Sequence, residues 1–441
     1  MKDMNVLLII TDTLRRDFVG VFNKRMDTTP FLDDFSRECL VFNNAWASSC
    51  WTIPTHFSML TGLSPLVHGV TKRNLRYSGK YPTLPEILRK NGYTTIFLAY
   101  HPYLNPEYGF EKGFEHFYNL GFMSWHRLKY RIKRKIYGRL KKMPFVKRLS
   151  FLKPAFKIRA EELNSYLFRI LRSQQRNRWF IMVNYLDTHW IYYYYKNKFT
   201  PSRWISDEKM WEIRNRVLLE GKPLTAEEEG FFKALYANAV YYLDSQLQRV
   251  IEYMQKNKIY EDTMIIIISD HGEMLGEKGL MDHILLYNPV IRIPFLVKFP
   301  GSERKGGEER PVQEKEVFYI VLKKLGVDIP QYEDDQGIIF SYFFPDEKEV
   351  KVYGKRCQGE FVACVEGDWK YIYSSRFKDE LYNLKEDPWE EHNLIDEKRY
   401  EEVAKKMKER IMKKKKYFPR GTREEEMDED LKTHLRGLGY I

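Results

Sequence analysis

Residues 263–272 read TMIIIISDHG, and this stretch decides the fold. Four consecutive isoleucines leave no polar face. Such a segment is a strand covered on both sides, as in a parallel sheet with a helix layer on each face. The run stops at Ser269-Asp270-His271-Gly272. In open α/β sheets ligands bind beyond the carboxyl ends of the strands, so Asp270 and His271 stand where chemistry is expected.

The same texture recurs on either side. Residues 5–11 (NVLLIIT) form a β-type run that ends at Asp12, and Leu14-Arg15-Arg16-Asp17 then opens a loop or helix. Residues 93–99 read as a strand. Residues 179–186 (WFIMVNYL) read as another, ending at Asp187-Thr188-His189, and residues 293–298 as one more. TLPEILRKNG, at 83–92, predicts a capped helix that ends at Gly92, and 226–257 predicts a long amphipathic helix. This alternation predicts an α/β fold: a large, mostly parallel sheet flanked by helices. Polar clusters at three strand ends predict one shared site.

Past residue 340 the texture changes. Short β runs lie between 353 and 373, and 398–415 reads as a charged helix. The expected organisation is a main domain at 1–340, a basic insertion at about 116–160, and a smaller α+β subdomain at 341–441. No internal repeat is present.

Composition sets wider bounds. The chain has 441 residues, 43% hydrophobic and 15% aromatic, which is ample for a large core. No run reaches the ~18 apolar residues of a membrane-spanning helix. The apolar stretch at 6–10 is shorter than the roughly 7–15 residues of a secretory signal core. A cytoplasmic location is therefore expected. Cys39, Cys50, Cys357 and Cys364 form no CxxC pair and are expected to be reduced.

The net charge of +12 is not spread evenly, because residues 127–159 hold fourteen Lys/Arg and no Asp/Glu. A basic stretch mixed with aromatics can lie on anionic lipid. It makes a lipid head group or an acidic glycan the expected partner, with peripheral membrane contact through 127–159. The plainer alternative is a solvated excursion packed on the rest of the chain. Nucleic acid is disfavoured, since no recognised binding motif accompanies the charge.

Candidate site residues follow from the strand ends. A buried carboxylate such as Asp12 must be paired, hydrogen-bonded or metal-bound. Carboxylate with imidazole at Asp270-His271 suits Zn²⁺ or Mn²⁺ better than Mg²⁺. Thr52 opens TIPTHFSMLTG, and Pro54 places it just before a helix N-terminus. A hydroxyl is a weak nucleophile unless a base or a cation activates it. A helix N-terminus behind it would favour an anionic ester group. Taken alone, Thr52 reads equally as a helix N-cap.

At this point the residues carry a family resemblance. NVLLIITDTLRRDFVG resembles the first metal motif of the sulfatases, in the alkaline phosphatase-like superfamily. TIPTHFSMLTG resembles their nucleophile motif, Cys-x-Pro-Ser-Arg followed by a helix that ends in Leu-Thr-Gly. IIIISDHGEMLGEKGLMDHILLYNPVIRIPFLVKFPG is similar to the second metal motif and the strand after it. ELYNLKEDPWEEHNL and the terminal LRGLGYI look like the C-terminal signatures.

The resemblance implies roles. Asp12, Thr52, Asp270 and His271 would be metal ligands, with Thr52 also the nucleophile. His189 and His283 would be catalytic, touching the transferred group or the leaving oxygen. His56, where the family has Arg, would bind the same oxygens together with His189 and His283. His101 lies near a Lys-x-His position, but its surroundings differ and it is given no role.

The departures shape the chemistry. The family's Cys or Ser matures to formylglycine, which Thr52 cannot do, so no formylglycine is expected. Thr13 replaces the family's second Asp and removes an oxygen ligand, which argues against the usual calcium site. The implied cofactor is a divalent cation, Mn²⁺ or Zn²⁺ ahead of Ca²⁺ or Mg²⁺. One ion is favoured over a second held by Asp187, His189 and His283. The pattern is similar to relatives that use Thr directly on phosphorus. The expected function is therefore metal-dependent cleavage of a phosphate mono- or diester, a small anionic ester, through Thr52. Three alternatives stand beside it: a sulfatase with unmodified Thr, a phosphoglycerol- or phosphoethanolamine-type transferase, and an inactive polyanion-binding relative.

Overall fold

The computed structural model describes residues 4–121, 158–174, 178–201, 203–330 and 337–419. The basic stretch as far as residue 157 and the terminal LRGLGYI lie outside the described residues.

Eight strands form the main sheet: β1 Asn5–Thr11, β2 Leu40–Phe42, β3 Thr94–Ala99, β4 His116–Asn119, β5 Trp179–Tyr185, β6 Thr263–Ile268, β7 Phe295–Lys298 and β8 Gly306–Glu308. Their spatial order is β8-β2-β7-β6-β1-β5-β3-β4. β1 lies at the centre, parallel to β5 and to β6, and β3 continues the parallel set beyond β5. Every residue of β5 and β6 is buried. That is the environment the isoleucine run demands, each such side chain contributing about 1.5–3 kcal/mol on leaving water.

β7 runs antiparallel to β6 and to β2. Its connection from β6 has no crossover helix. Residues 269–294 stay at the carboxyl end of the sheet, so the chain must run back from there. The strand that the sequence places at 293–298 is thus present in shortened form but opposite in direction to its neighbour.

Helices cover the sheet. They include α1 Thr52–Thr61, α2 Leu84–Lys90, α3 Ala160–Ser173, α4 Asp207–Glu220 and α5 Ala226–Lys256. α2 begins with the expected capping box of Thr83 and Glu86. α1 is buried along its whole length, and Gly62 ends it at φ 72°, a left-handed conformation that costs glycine little.

Beyond the main sheet, β9 Ile339–Phe343, β10 Phe361–Glu366, β11 Trp369–Ser374 and β12 Glu380–Asn383 form an antiparallel sheet in chain order. α6 Glu347–Tyr353 lies between its first two strands, and α7 Glu401–Lys414 packs on its outer face through Met407 and Ile411. This is the smaller C-terminal α+β unit. All four cysteines are buried, and none is in a disulfide. No helix among the described residues is long and apolar enough to cross a membrane.

Candidate active site

Three strands deliver the site. β1 ends at Thr11, and the Asp12 amide continues the ladder by donating to the Tyr185 carbonyl (2.9 Å) at the end of β5. Thr188, just beyond β5, donates its hydroxyl to the Asp12 carbonyl at 2.6 Å. On the other side β6 ends two residues before Asp270. Because β5, β1 and β6 are adjacent, all three chain exits open into one region.

Asp12, Asp270 and His271 offer ligand atoms within 4.8 Å of one another, and all three residues are fully buried. Asp270 Oδ1 accepts from the Thr13 amide (3.1 Å) and from the His271 amide (2.8 Å). Its Oδ2 accepts no hydrogen bond. Burial first, and then the charge of Asp12, raise the Asp270 pKa above its ordinary value. Two carboxylates enclosed at this spacing disfavour their own ionisation, and a cation between them removes the penalty. The residues present therefore fit a divalent ion.

His271 is oriented for the same task. Its Nδ1 lies 3.0 Å from the Gly272 carbonyl, so the ring N–H donates there and Nε2 is left as the lone-pair donor. Gly272 is required by close approach: a Cβ would lie 2.1 Å from the Pro289 carbonyl oxygen. Thr13 adopts φ 59° and donates its hydroxyl to the Thr188 carbonyl at 2.6 Å. That bond holds the Thr13 oxygen on the backbone.

Thr52 is the first residue of α1. Trp51, in extended conformation, is the N-cap, and no side chain caps this helix end. The helix thus begins one residue earlier than the Pro54 argument places it, and the Thr52 hydroxyl is not spent on capping. Its Oγ1 lies 3.4 Å from His271 Nε2. A helix start leaves its first amides without intrahelical acceptors and carries a partial positive charge, a favourable environment for anionic oxygens beside Thr52.

Each remaining histidine has a defined place. His283 Nδ1 is 3.1 Å from the Cys50 carbonyl, and its ring centroid is 4.7 Å from that of His271. His189 Nδ1 is 2.6 Å from the Trp190 carbonyl, with its ring 5.3 Å from His283. In both, a backbone acceptor at Nδ1 turns Nε2 into a proton-transfer position. Burial lowers the pKa of His283 to about 3. His56 lies on α1, one turn after Thr52, with Nδ1 2.8 Å from the Thr52 carbonyl oxygen and Nε2 3.1 Å from Asn184 Oδ1. Its contacts brace the Thr52 backbone.

Two placements differ from the sequence reading. His101, given no role there, accepts the Tyr103 amide at Nδ1 (3.1 Å) and sets Nε2 3.3 Å from Asp12 Oδ2. The neutral ring therefore turns its Nε2 side toward a candidate ligand. The signal was present, since His101 follows β3 as Asp187 follows β5, but only the sheet order shows that β3 adjoins the site. Asp187, conversely, takes the Ala160 amide (3.2 Å) and the Tyr195 hydroxyl (2.7 Å) on Oδ1. Among the described residues Asp12, Asp270 and His271 are the one cluster grouped closely enough to hold an ion, and Asp187, His189 and His283 are not so grouped.

A buried carboxylate pair with an oriented imidazole, at the carboxyl edge of a mostly parallel sheet and beside a hydroxyl on a helix N-terminus, defines a hydrolase site of the alkaline phosphatase-like class. The chain belongs to the sulfatase family. The sulfatase family model matches residues 4–327, and the model of the N-sulphoglucosamine sulphohydrolase C-terminal region matches 276–417.

The chain is 23% identical to the uncharacterized sulfatase YidJ of Escherichia coli strain K12, over 93% of this chain and 87% of that protein. It is 22% identical to the choline-sulfatase of Rhizobium meliloti strain 1021, over 90% of this chain and 83% of that protein. Among solved structures it shares its fold with a phosphonate monoester hydrolase of Agrobacterium radiobacter. That match has a TM-score of 0.69 and 19% identity, and it covers 94% of this chain and 96% of the other.

Proposed function

We propose that this sulfatase-family hydrolase cleaves phosphate mono- or diesters with the Thr52 hydroxyl as its nucleophile. One observation carries the reading: Thr52 Oγ1 stands 3.4 Å from His271 Nε2, at the edge of the Asp12, Asp270 and His271 cluster. A divalent cation held by those three residues would supply the positive charge that makes a neutral hydroxyl acidic. Thr13, Gly272 and His101 orient the three ligands. α1 presents the hydroxyl and binds the ester's anionic oxygens at its N-terminus.

In the first step the Thr52 oxygen forms a bond to phosphorus and the bond from phosphorus to the leaving oxygen breaks. The Thr52 proton passes to the Nε2 lone pair of His283 or His189, and the ring delivers it to that oxygen. In the second step water attacks phosphorus and gives a proton to the same Nε2, the bond from Thr52 to phosphorus breaks, and the ring returns that proton to the Thr52 oxygen. Thr52 has no route to formylglycine, so the covalent intermediate is a phospho-threonine. That intermediate is what favours phosphorus over sulfur here.

A second reading, sulfate ester hydrolysis with unmodified Thr52, has specific support in relatives named sulfatase. One preparation assayed on a bis-aryl phosphodiester, an aryl phosphate, an aryl phosphonate and an aryl sulfate separates the two. Faster turnover of the phosphorus esters, lost in Thr52→Ala, supports the proposal. Faster aryl sulfate turnover supports the second reading. The substrate is a small anionic ester, and an acidic glycan or lipid head group would supply one.

A further inference from the structure

The C-terminal signature ELYNLKEDPWEEHNL takes no part in the chemistry above, yet it contains Glu390, which is fully buried. Lys370 on β11 is also fully buried, and its Nζ lies 2.5 Å from Glu390 Oε1. A buried ion pair is a costly way to fill a core and is rarely retained for stability alone.

Both members reach beyond each other to the same short turn, Asn288–Ile291. The Asn288 amide donates to Glu390 Oε2 at 2.7 Å. Lys370 Nζ donates to Asn288 Oδ1 at 3.0 Å, and Asn288 Nδ2 donates to the Pro388 carbonyl at 2.9 Å. Three hydrogen bonds thus tie Asn288 to the C-terminal subdomain. Glu390 itself sits at φ 60°, a strained conformation for a non-glycine residue.

The turn holds the loop that carries His271. The Gly272 amide donates to the Val290 carbonyl at 2.6 Å, and the Glu273 amide donates to the Pro289 carbonyl at 3.1 Å. The Pro289 oxygen occupies the space that a side chain at Gly272 would need. The Gly272 carbonyl, in turn, sets the His271 ring through Nδ1. A displacement of Asn288 would therefore pass through two backbone hydrogen bonds to the imidazole.

We propose that Lys370 and Glu390 are positioning residues for His271, so that the C-terminal subdomain completes the cation site without touching the ion. The proposal rests on reading Asp12, Asp270 and His271 as a cation site, but one arm of its test does not.

That arm is amide hydrogen exchange over residues 263–275 in cation-free protein, comparing the parent with Lys370→Met/Glu390→Met. The double substitution leaves no lone buried charge. Exchange at Gly272 and Glu273 is expected to quicken at least about tenfold, with β6 unchanged. In the second arm Mn²⁺ is titrated into the same proteins and into Asp270→Ala. The double variant is expected to bind about 10–100-fold more weakly than the parent, the usual cost of removing an outer-shell partner. Asn288→Ala, which cuts only the two side-chain bonds, is expected to shift both readouts in the same direction and serves if the double variant does not fold. Parent-like exchange at Gly272 and Glu273 in a folded variant overturns the proposal. Equal Mn²⁺ affinity in the parent and Asp270→Ala overturns the cation reading instead, and the exchange arm still decides the role of the pair.

Discussion

Thr52 and His271 are 219 residues apart in sequence, and their side chains approach to 3.4 Å between Oγ1 and Nε2. A helix N-terminus supplies one partner and the exit of the most apolar strand supplies the other. The contact links a potential nucleophile to a potential cation ligand, and most expectations for this protein follow from it.

Replacing Thr52 should separate chemistry from binding. Thr52→Ala is expected to lower phosphodiester turnover by more than about 10³-fold, as removal of a nucleophile does elsewhere. Mn²⁺ binding should persist, because Asp12, Asp270 and His271 remain. Thr52→Ser keeps a hydroxyl and should retain part of the rate. Steady-state kinetics beside a Mn²⁺ titration checks both halves.

Asp270→Asn should have opposite effects in the two states of the site. The carboxyl of Asp270 is raised above its ordinary value of 3.8 by burial and by Asp12. A group with a raised folded pKa is favourable when protonated, and its contribution is lost as pH rises through that pKa. At pH 7 in chelator the parent therefore carries a penalty, and Asp270→Asn should melt higher than the parent. With a saturating cation the order should reverse, since a ligand at 100 times its Kd adds about 2.7 kcal/mol only to a protein that binds it. Melting curves with and without Mn²⁺ test this, and equal shifts in both proteins would count against the site.

The leaving group identifies the acid. His283→Gln or His189→Gln should cost about 10²–10⁴-fold on an alkyl ester, whose leaving oxygen needs a proton. The cost should be small on a nitrophenyl ester, whose leaving group departs as an anion. A loss that does not depend on leaving-group pKa would assign the ring to binding instead.

The sequence carries the parallel core openly, because a β-branched run with no polar face has one environment open to it. Asp12, Asp270 and His271 are legible because strand exits are where such sheets place their chemistry. His101 has no legible role because its surroundings depart from the family motif, and nothing local to residues 94–101 says that β3 lies beside β5. The direction of β7 was hidden similarly, since it depends on where residues 269–294 travel. The Lys370 and Glu390 pair is invisible to pattern reading, because charged residues in a polar context read as solvated surface. Asp187 marks the limit of the strand-exit rule. It stands at a strand exit, yet it serves the start of α3 and Tyr195.

A pH effect on stability is expected at Glu314. Burial raises the Glu314 carboxyl from 4.5 to about 7, while its oxygens accept from the Ser48 amide and hydroxyl. Its contribution is complete below the unfolded value of 4.5 and declines as pH climbs through about 7. Glu314→Gln, which cannot ionise, should flatten the fall in melting temperature between pH 5 and pH 8. The difference should be on the order of 1–3 kcal/mol across that window. An unchanged pH profile would show that Glu314 ionises as readily in the folded chain as outside it.

The most direct measurement asks where phosphorus goes. The protein is mixed with a chromogenic phosphodiester for less than one turnover, quenched in acid and digested, and the peptide containing Thr52 is analysed by mass spectrometry. A phosphoryl group on Thr52 that forms with the first product and disappears with the second is the predicted result. Full release of both products with Thr52 unmodified throughout, together with undiminished turnover in Thr52→Ala, would contradict the assignment of this hydroxyl as the nucleophile.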